Sequence, residues 1–202
     1  SKTVKISTAY YTDENTPSRH NTMTPRLKAK IPKMLEWQLI DADWYVWMDS
    51  SVRLKNEITD LPAKILELAR DNQLCLFRHT AGTTIRDEAE RVLKSIKNNH
   101  EYLVKRYGGE PIREQLIHYY GDPTFKDERL FATTFFAYNR RAIPMMRQWF
   151  EHNILWSTQC QISFPYVLQK SGLKYSLFEG TINHGNPYFT WHWKEREEHL
   201  FT

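Results

Sequence analysis

Short runs of apolar and aromatic residues alternate along this chain with longer segments that carry apolar residues at helical spacing. Their β-branched and aromatic composition predicts that these runs are strands. The predicted strands are residues 4–11, 44–48, 74–77, 132–139 and 175–178, and residues 52–54 are expected to be extended as well. Alternation of strands and helices favours an α/β fold, in which helices cover both faces of a sheet.

The segments between these strands contain the helix signals. Thr24 is a favourable N-cap, Pro25 suits the first helical position, and Pro32 predicts a kink or a restart in the same helix. Predicted helices occupy residues 24–39, 58–72, 86–99, 111–120, 142–156 and 162–172. The segment from residue 180 onward is expected to begin as a loop.

The size and charge of the chain restrict its class. Its 202 residues, of which 41% are hydrophobic and 26% charged, fit one globular domain over residues 1–202. The chain begins with Ser1 rather than methionine, which is compatible with a piece of a longer protein. A net charge of +4 suits an anionic ligand such as a phosphate, but it is too small to indicate nucleic acid.

Two further features concern the location of the protein. No apolar run approaches the ~20 residues that a membrane-spanning helix needs, so no membrane span is predicted. Cys75 and Cys160 lie far apart in the sequence, and both are expected to have apolar surroundings. This pattern predicts two reduced, buried thiols in a cytoplasmic protein.

Three aspartates flank the apolar run Trp44–Met48, and their positions before or after this run predict different roles. Asp41 and Asp43 precede the run, whereas Asp49 follows it. Ligands of open α/β sheets bind beyond the carboxyl ends of strands, so Asp49 is predicted to face the ligand. A lone carboxylate there could hold a Mg²⁺-type cation whose other positions are filled by phosphates and water. The alternative is that Asp49 only caps a turn.

Basic residues precede this strand at helical spacing. Arg26, Lys30 and Lys33 lie at positions i, i+4 and i+7 and therefore share one helix face. The candidates for binding phosphate are Arg26, Lys28, Lys30, Lys33 and Arg53. The same helix face could instead be a solvated basic surface.

Together these motifs resemble the GT-A class of nucleotide-sugar glycosyltransferases, in particular a group catalogued only as a domain of unknown function. The matching elements are Arg26-Lys30-Lys33, Trp47-Met48-Asp49-Ser50-Ser51, Phe77-Arg78-His79, Arg86-Asp87-Glu88-Ala89, and Trp156 with residues 160–166. The resemblance covers most of residues 20–190. The chain is also similar to the small N-terminal glycosyltransferase domain of a capsid-glycan enzyme from a large DNA virus.

The resemblance implies a GT-A fold, which is a Rossmann-like mixed sheet with helices on both faces. It implies the metal-dependent transfer of a hexose or deoxyhexose from a UDP-sugar to a hydroxyl of a glycan or glycoprotein. A retaining reaction is favoured, and viral capsid glycosylation in the host cytoplasm would be its setting. Mn²⁺, or Mg²⁺, would be held by Asp49, by Ser51 where the family has a second aspartate, and by His184, with His192 as the second choice.

The resemblance also assigns nucleotide-binding and catalytic candidates. The first strand would place Tyr10, Tyr11 and Asp13 beneath the nucleobase, although its aromatic residues could equally pack on a helix. The remaining donor-binding candidates are Arg26, Lys30, Asp49, Ser51, Arg53 and His79.

Cys160 stands where the family often has an aspartate close to the sugar, so the role of that carboxylate is open. Asp87, Asp127 and Glu128 are the catalytic candidates, each with a surface or helix-capping role as the alternative.

Two other classes of function compete with this interpretation. A metal-dependent nuclease or phosphotransferase would use Asp43 and Asp49 together with the basic helix. A non-catalytic carbohydrate-binding module would instead use Tyr188, Trp191 and Trp193 as an aromatic platform.

Overall fold

A mixed four-stranded sheet organises the protein. The computed structural model describes residues 5–12, 15–16 and 18–192. The strands are β1 Trp44–Met48, β2 Val52–Leu54, β3 Leu74–Arg78, β4 Phe131–Asn139, β5 Tyr175–Thr181 and β6 Phe189–Trp191. The main sheet has the order β1-β4-β3-β5, while β2 and β6 form a separate antiparallel pair. Strand β4 is antiparallel to β1 and β3, and β5 is parallel to β3.

One α-helix precedes β1, and the others lie between β2 and β3, between β3 and β4, and between β4 and β5. The helices are α1 Pro25–Leu35, α2 Leu61–Ala69, α3 Ile85–Lys97, α4 Glu101–Tyr107, α5 Ile112–Tyr120, α6 Ile143–Leu155 and α7 Cys160–Ser171. The predicted N-cap of α1 is confirmed, because the Thr24 hydroxyl accepts a hydrogen bond from the backbone N–H of Leu27. Pro32 lies inside α1 without ending it, and α7 ends at Gly172, which has a left-handed φ of 66°.

The sheet separates two hydrophobic cores because successive residues of a strand point to opposite faces. In β3, Leu74 and Leu76 belong to the first core, and Cys75 and Phe77 to the second. The first core lies under α1 and α3 to α7, whereas the second lies under α2 and the β2–β6 pair. The predicted α/β class, with helices on both faces of a mixed sheet, is confirmed.

The pairing of β4 with β3 is interrupted near the end of β1. Leu76 pairs with Phe136, whereas the next residue, Phe77, pairs with Ala132. Residues 133–135 therefore bulge out of the ladder with β3. Such bulges re-aim side chains, and this one lies beside the end of β1.

The strand predicted at residues 4–11 is wrong for its described part, because residues 5–11 form no strand. Their composition favours a strand, but a strand also needs a neighbour for its backbone N–H and C=O groups. Two short elements, α4 and β6, were not predicted from the sequence. Within the described residues, no helix has the length and apolar character needed to cross a membrane.

Candidate functional site

The carboxyl ends of β1 and β3 lie at the same edge of the sheet. Both strands are antiparallel to β4, so they run in the same direction. Asp49 follows β1 and His79 follows β3, so both residues emerge at this edge, as the sequence predicts. Asp41 and Asp43 lie before β1, where they form ion pairs with Arg140.

Asp49 is held in a fixed orientation by its surroundings. Its Oδ1 atom lies 3.4 Å from the Lys33 ammonium and accepts a 2.5 Å hydrogen bond from the Trp47 indole N–H. Its backbone N–H donates to the carbonyl of Thr134 in the β4 bulge. The Asp49 side chain is 21% exposed, so the carboxylate remains reachable from outside while one oxygen is anchored.

The basic face of α1 points into the protein at Lys30 and Lys33. The alternative that this face is a solvated surface is therefore wrong for these two residues. Lys30 and Lys33 are both buried. The Lys30 ammonium donates to the Cys160 sulfur at 3.3 Å, and this sulfur lies 3.2 Å from the Thr133 hydroxyl. We call Lys30, Lys33, Asp49, Thr133 and Cys160 the lysine cluster.

The lysine cluster changes the acidity of two side chains, Cys160 and Lys30. Burial alone would raise the pKa of the Cys160 thiol, but Lys30, Lys33 and the Thr133 hydroxyl outweigh burial and lower it to about 7. Burial lowers the pKa of the Lys30 ammonium, and the nearby sulfur of Cys160 partly opposes this effect. Cys160 is free and buried as predicted, but the expectation of apolar surroundings is wrong.

A second polar cluster adjoins the first and is centred on the buried Glu88. The Glu88 carboxylate pairs with the Arg91 guanidinium at 2.6 Å and accepts a 2.5 Å hydrogen bond from Gln159. Gln159 also accepts from the hydroxyl of Tyr107, which is buried. Burial lowers the pKa of His79, and the nearby carboxylate of Glu88 opposes that shift. We call His79, Glu88, Arg91, Tyr107 and Gln159 the Glu88 cluster.

Two of the three catalytic candidates cap helix α3. The Asp127 carboxylate accepts from the backbone N–H groups of Ile85 and Arg86. Asp87 forms a capping box with Thr84, and hydrogen bonds from Thr84 and Thr83 lower its pKa. These contacts match the helix-capping alternative. Catalysis by Asp87 and Asp127 stays a prediction.

The third candidate, Glu128, has an exposed side chain before β4. Its catalytic role also stays a prediction. Sequence reasoning overlooked Gln159, which is buried and joins the Glu88 cluster to the start of α7. The sequence did offer one indication of its role, because Gln159 lies directly before Cys160, between Trp156 and residues 160–166 of the motif described above.

The turn after β1 contains two candidate ligands for a cation, the carboxylate of Asp49 and the hydroxyl of Ser51. The carbonyl of Asp49 accepts from the backbone N–H of Val52, which closes the turn. The Ser51 hydroxyl is buried and has no hydrogen-bond partner among the described residues, so it is available as a ligand. These two residues fit a cation that takes most of its ligands from phosphates and water. The part of the chain that the structure describes contains no group of three His, Cys, Asp or Glu side chains suited to a metal.

The two candidate histidines lie in different places. His184 is exposed in the turn between β5 and β6, where its backbone is bonded to Thr181. His192 donates its backbone N–H to the carbonyl of Ser51 at 2.8 Å. The structure therefore ties His192 directly to the Asp49–Ser51 turn, and metal binding by His184 stays a prediction.

The predicted nucleotide-binding residues are dispersed. Tyr10 is 81% exposed, and Tyr11 lies against Glu36, where burial and a hydrogen bond to that carboxylate raise the pKa of the tyrosine. Asp13 lies outside the described residues. Arg26 donates to the carbonyl of Lys105 on α4.

The remaining donor-binding candidate, Arg53, is exposed on β2 and pairs with Thr190. Of all these candidates, Lys30, Asp49, Ser51 and His79 lie at the sheet edge or in the two polar clusters next to it.

The aromatic platform of the binding-module alternative is partly internal. Tyr188 and Trp191 pack against the second core, while Trp193 lies outside the described residues. Comparison with protein families, with curated proteins and with solved structures finds no match to this chain.

Proposed function

We propose that this protein is a nucleotide-sugar glycosyltransferase of the GT-A class, which transfers a hexose or deoxyhexose from a UDP-sugar to a glycan hydroxyl. The observation that carries this proposal is the convergence of motif residues from distant parts of the chain. Lys33 contacts Asp49, Lys30 contacts Cys160, and Gln159, the neighbour of Cys160, contacts Glu88. Motifs that meet at the ligand-binding edge of an α/β sheet are expected to act together.

The charge at this edge suits a leaving diphosphate. Sugar transfer leaves negative charge on the phosphate oxygens as the bond between the anomeric carbon of the sugar and the diphosphate oxygen breaks. Lys30 and Lys33 are two buried ammonium groups beside a single carboxylate, Asp49. Positive charge that is held in place before the reaction stabilises such a transition state, and a single contact of this kind contributes roughly 3 kcal/mol.

A divalent cation, Mn²⁺ or Mg²⁺, would be held by Asp49 and by the hydroxyl of Ser51. When bound, it would neutralise phosphate charge as a Lewis acid. Ser51 supplies no negative charge, and Lys33 already neutralises part of the charge of Asp49. We therefore expect weak cation binding in the absence of the nucleotide.

The acceptor proton requires a separate group. With Cys160 in the place of an aspartate, the lysine cluster contains one carboxylate, Asp49, which is already paired. This arrangement favours a retaining reaction, in which the leaving phosphate accepts the proton of the acceptor hydroxyl. Comparison of the anomeric configuration of product and donor tests this choice.

The first experiment is thermal unfolding with UDP, GDP or ADP, each in the presence of Mn²⁺ or EDTA. A ligand at about 100 times its dissociation constant stabilises the folded state by about 2.7 kcal/mol. We expect a shift with UDP and Mn²⁺ that is lost in Asp49→Ala. The matched control is Asp43→Ala, which removes an exposed aspartate paired with Arg140 and should retain the shift.

The absence of a shift with every nucleotide would contradict the proposal and would favour the carbohydrate-binding alternative. Glycan binding that needs neither nucleotide nor metal would then be measured. Equal shifts with Asp49→Ala and the unchanged protein would show that the nucleotide binds elsewhere.

A further inference from the structure

The contact between Lys30 and Cys160 brings a buried amine against a buried thiol. Their nitrogen and sulfur atoms are 3.3 Å apart, and Thr133 closes the other side of the sulfur at 3.2 Å. Lys30 lies in the middle of α1 and is 9% exposed, while Cys160 is the first residue of α7. The carboxylate in the lysine cluster, Asp49, is paired with the other lysine, Lys33.

We propose that Lys30 and Cys160 form a site of reversible oxidative modification. A peroxide-class oxidant converts the thiol of Cys160 into a sulfenic acid, and the amine of Lys30 captures this acid as a sulfenamide. The product is a covalent link between α1 and α7. The proposal is independent of the transferase activity.

Atoms and electrons balance in both steps. The Cys160 thiolate attacks one peroxide oxygen, the O–O bond breaks, and the other oxygen leaves as hydroxide, which takes up a proton to become water. The sulfur loses two electrons, and the peroxide gains them. The neutral amine of Lys30 then attacks the sulfur, so that an S–N bond forms and the S–O bond breaks. The hydroxyl group departs as water with a proton from the amine.

The surroundings favour both steps. The thiolate is the reactive form of cysteine, and the adjacent ammonium groups increase its fraction near neutral pH. Burial lowers the pKa of Lys30, which makes the neutral amine accessible for the second step. A disulfide with Cys75 is not available, because Cys75 points into the second core on the opposite face of the sheet.

Cys75 provides a matched control within the same chain. Both thiols are buried and free, but burial alone acts on Cys75 and raises its pKa to about 12. Its thiol contacts the carbonyl of Ile65 rather than an ammonium group. If simple thiol burial or peroxide access decided reactivity, the two cysteines would behave alike.

The test is exposure of the whole protein to hydrogen peroxide, followed by intact mass measurement and non-reducing peptide mapping. We expect a species lighter by two hydrogen atoms, in which peptides from α1 and α7 are joined and trypsin no longer cleaves at Lys30. A thiol reductant should restore the original mass. The link should persist in Cys75→Ser and be absent from Cys160→Ser.

Lys30→Arg keeps the positive charge but removes the amine that captures the sulfenic acid. In this variant, oxidation should stop at a sulfenic acid that dimedone labels at Cys160. The wild-type digest alone locates the link, so the test does not depend on the folding of any variant.

Three results would overturn the proposal. The first is that Cys160 stays reduced while the exposed thioether of Met48 becomes oxidised, since Met48 reports that peroxide was active. The second is an oxidised Cys160 with no link to Lys30 in the wild-type protein. The third is equal oxidation of Cys75 and Cys160.

Discussion

Ionisation of Cys160 should make the protein more stable as the pH rises from about 7 to about 8.5. The pKa of this thiol is about 7 in the folded protein, compared with an ordinary value of 9.0. In this pH window the unfolded chain retains a proton that the folded protein has released, so the free energy of unfolding increases with pH. The stabilisation is lost as the pH falls through 7. Because a tenfold change in acidity corresponds to about 1.4 kcal/mol, we expect a gain of about 2 kcal/mol.

Other groups that titrate nearby do not reverse this sign. Burial lowers the pKa of Lys30, so the unfolded chain also holds more protons at this residue, and its contribution has the same direction. Burial lowers the pKa of His79 and of His152, and both act below the chosen window. The raised pKa of Cys75 reduces stability only above its ordinary value of 9.0.

The assay is urea denaturation under reducing conditions at several pH values between about 7 and about 8.5. Lys30→Met removes the principal cation beside the sulfur, so burial should dominate and the increase with pH should disappear. Cys75→Ala is the matched control and should retain the increase. A free energy of unfolding that does not change with pH in the unchanged protein, or the same increase in Lys30→Met, would contradict an ionised Cys160 stabilised by Lys30.

Three further predictions concern the framework of the site. Gly180→Ala should destabilise the turn that carries His184 by well over 1 kcal/mol, because a Cβ atom would lie 2.5 Å from the carbonyl carbon of Gly185. Gly172→Ala, at a similar positive φ with open space around it, should cost only about 1 kcal/mol in thermal unfolding, and equal losses would contradict this argument. Asp127→Ala should lower the free energy of unfolding by about 1 kcal/mol through loss of its bonds to the start of α3. If it instead removes activity without loss of stability, a catalytic role is favoured. Val46→Lys, at a side chain that is 47% exposed on the edge strand β1, should leave unfolding unchanged and reduce self-association in light scattering.

The main sheet could largely be predicted from the sequence, because its strands carry nearly continuous apolar runs, although only the two central strands, β3 and β4, are buried along most of their length. The run Trp44–Met48 identifies β1, and its position before Asp49 predicts which of the three aspartates lies beyond the carboxyl end of this strand. The error at residues 5–11 has the opposite cause. Strand propensity is local, whereas the pairing that makes a strand depends on a neighbour elsewhere in the chain.

The interior of the site could not be predicted in the same way. The spacing of Lys30 and Lys33 places both on one face of α1, but spacing alone cannot tell whether that face points to water or to protein. The answer depends on Cys160, which is 130 positions further along the chain and is brought to Lys30 by the packing of α7.

This packing has a physical consequence for the cysteine at position 160. A thiolate can serve as the counter-ion of a buried ammonium, as a carboxylate does. Because the pKa of Cys160 is about 7, its thiolate predominates only above about that pH. The charge at position 160 therefore changes with pH near 7 and with oxidation of the sulfur. An aspartate in the same position would stay ionised over this pH range. If Lys30 and Lys33 bind the donor diphosphate, protonation of Cys160 leaves more positive charge for it. Donor affinity should then decrease from about pH 6.5 to about pH 8 in the wild-type protein, by more than it does in Cys160→Ser.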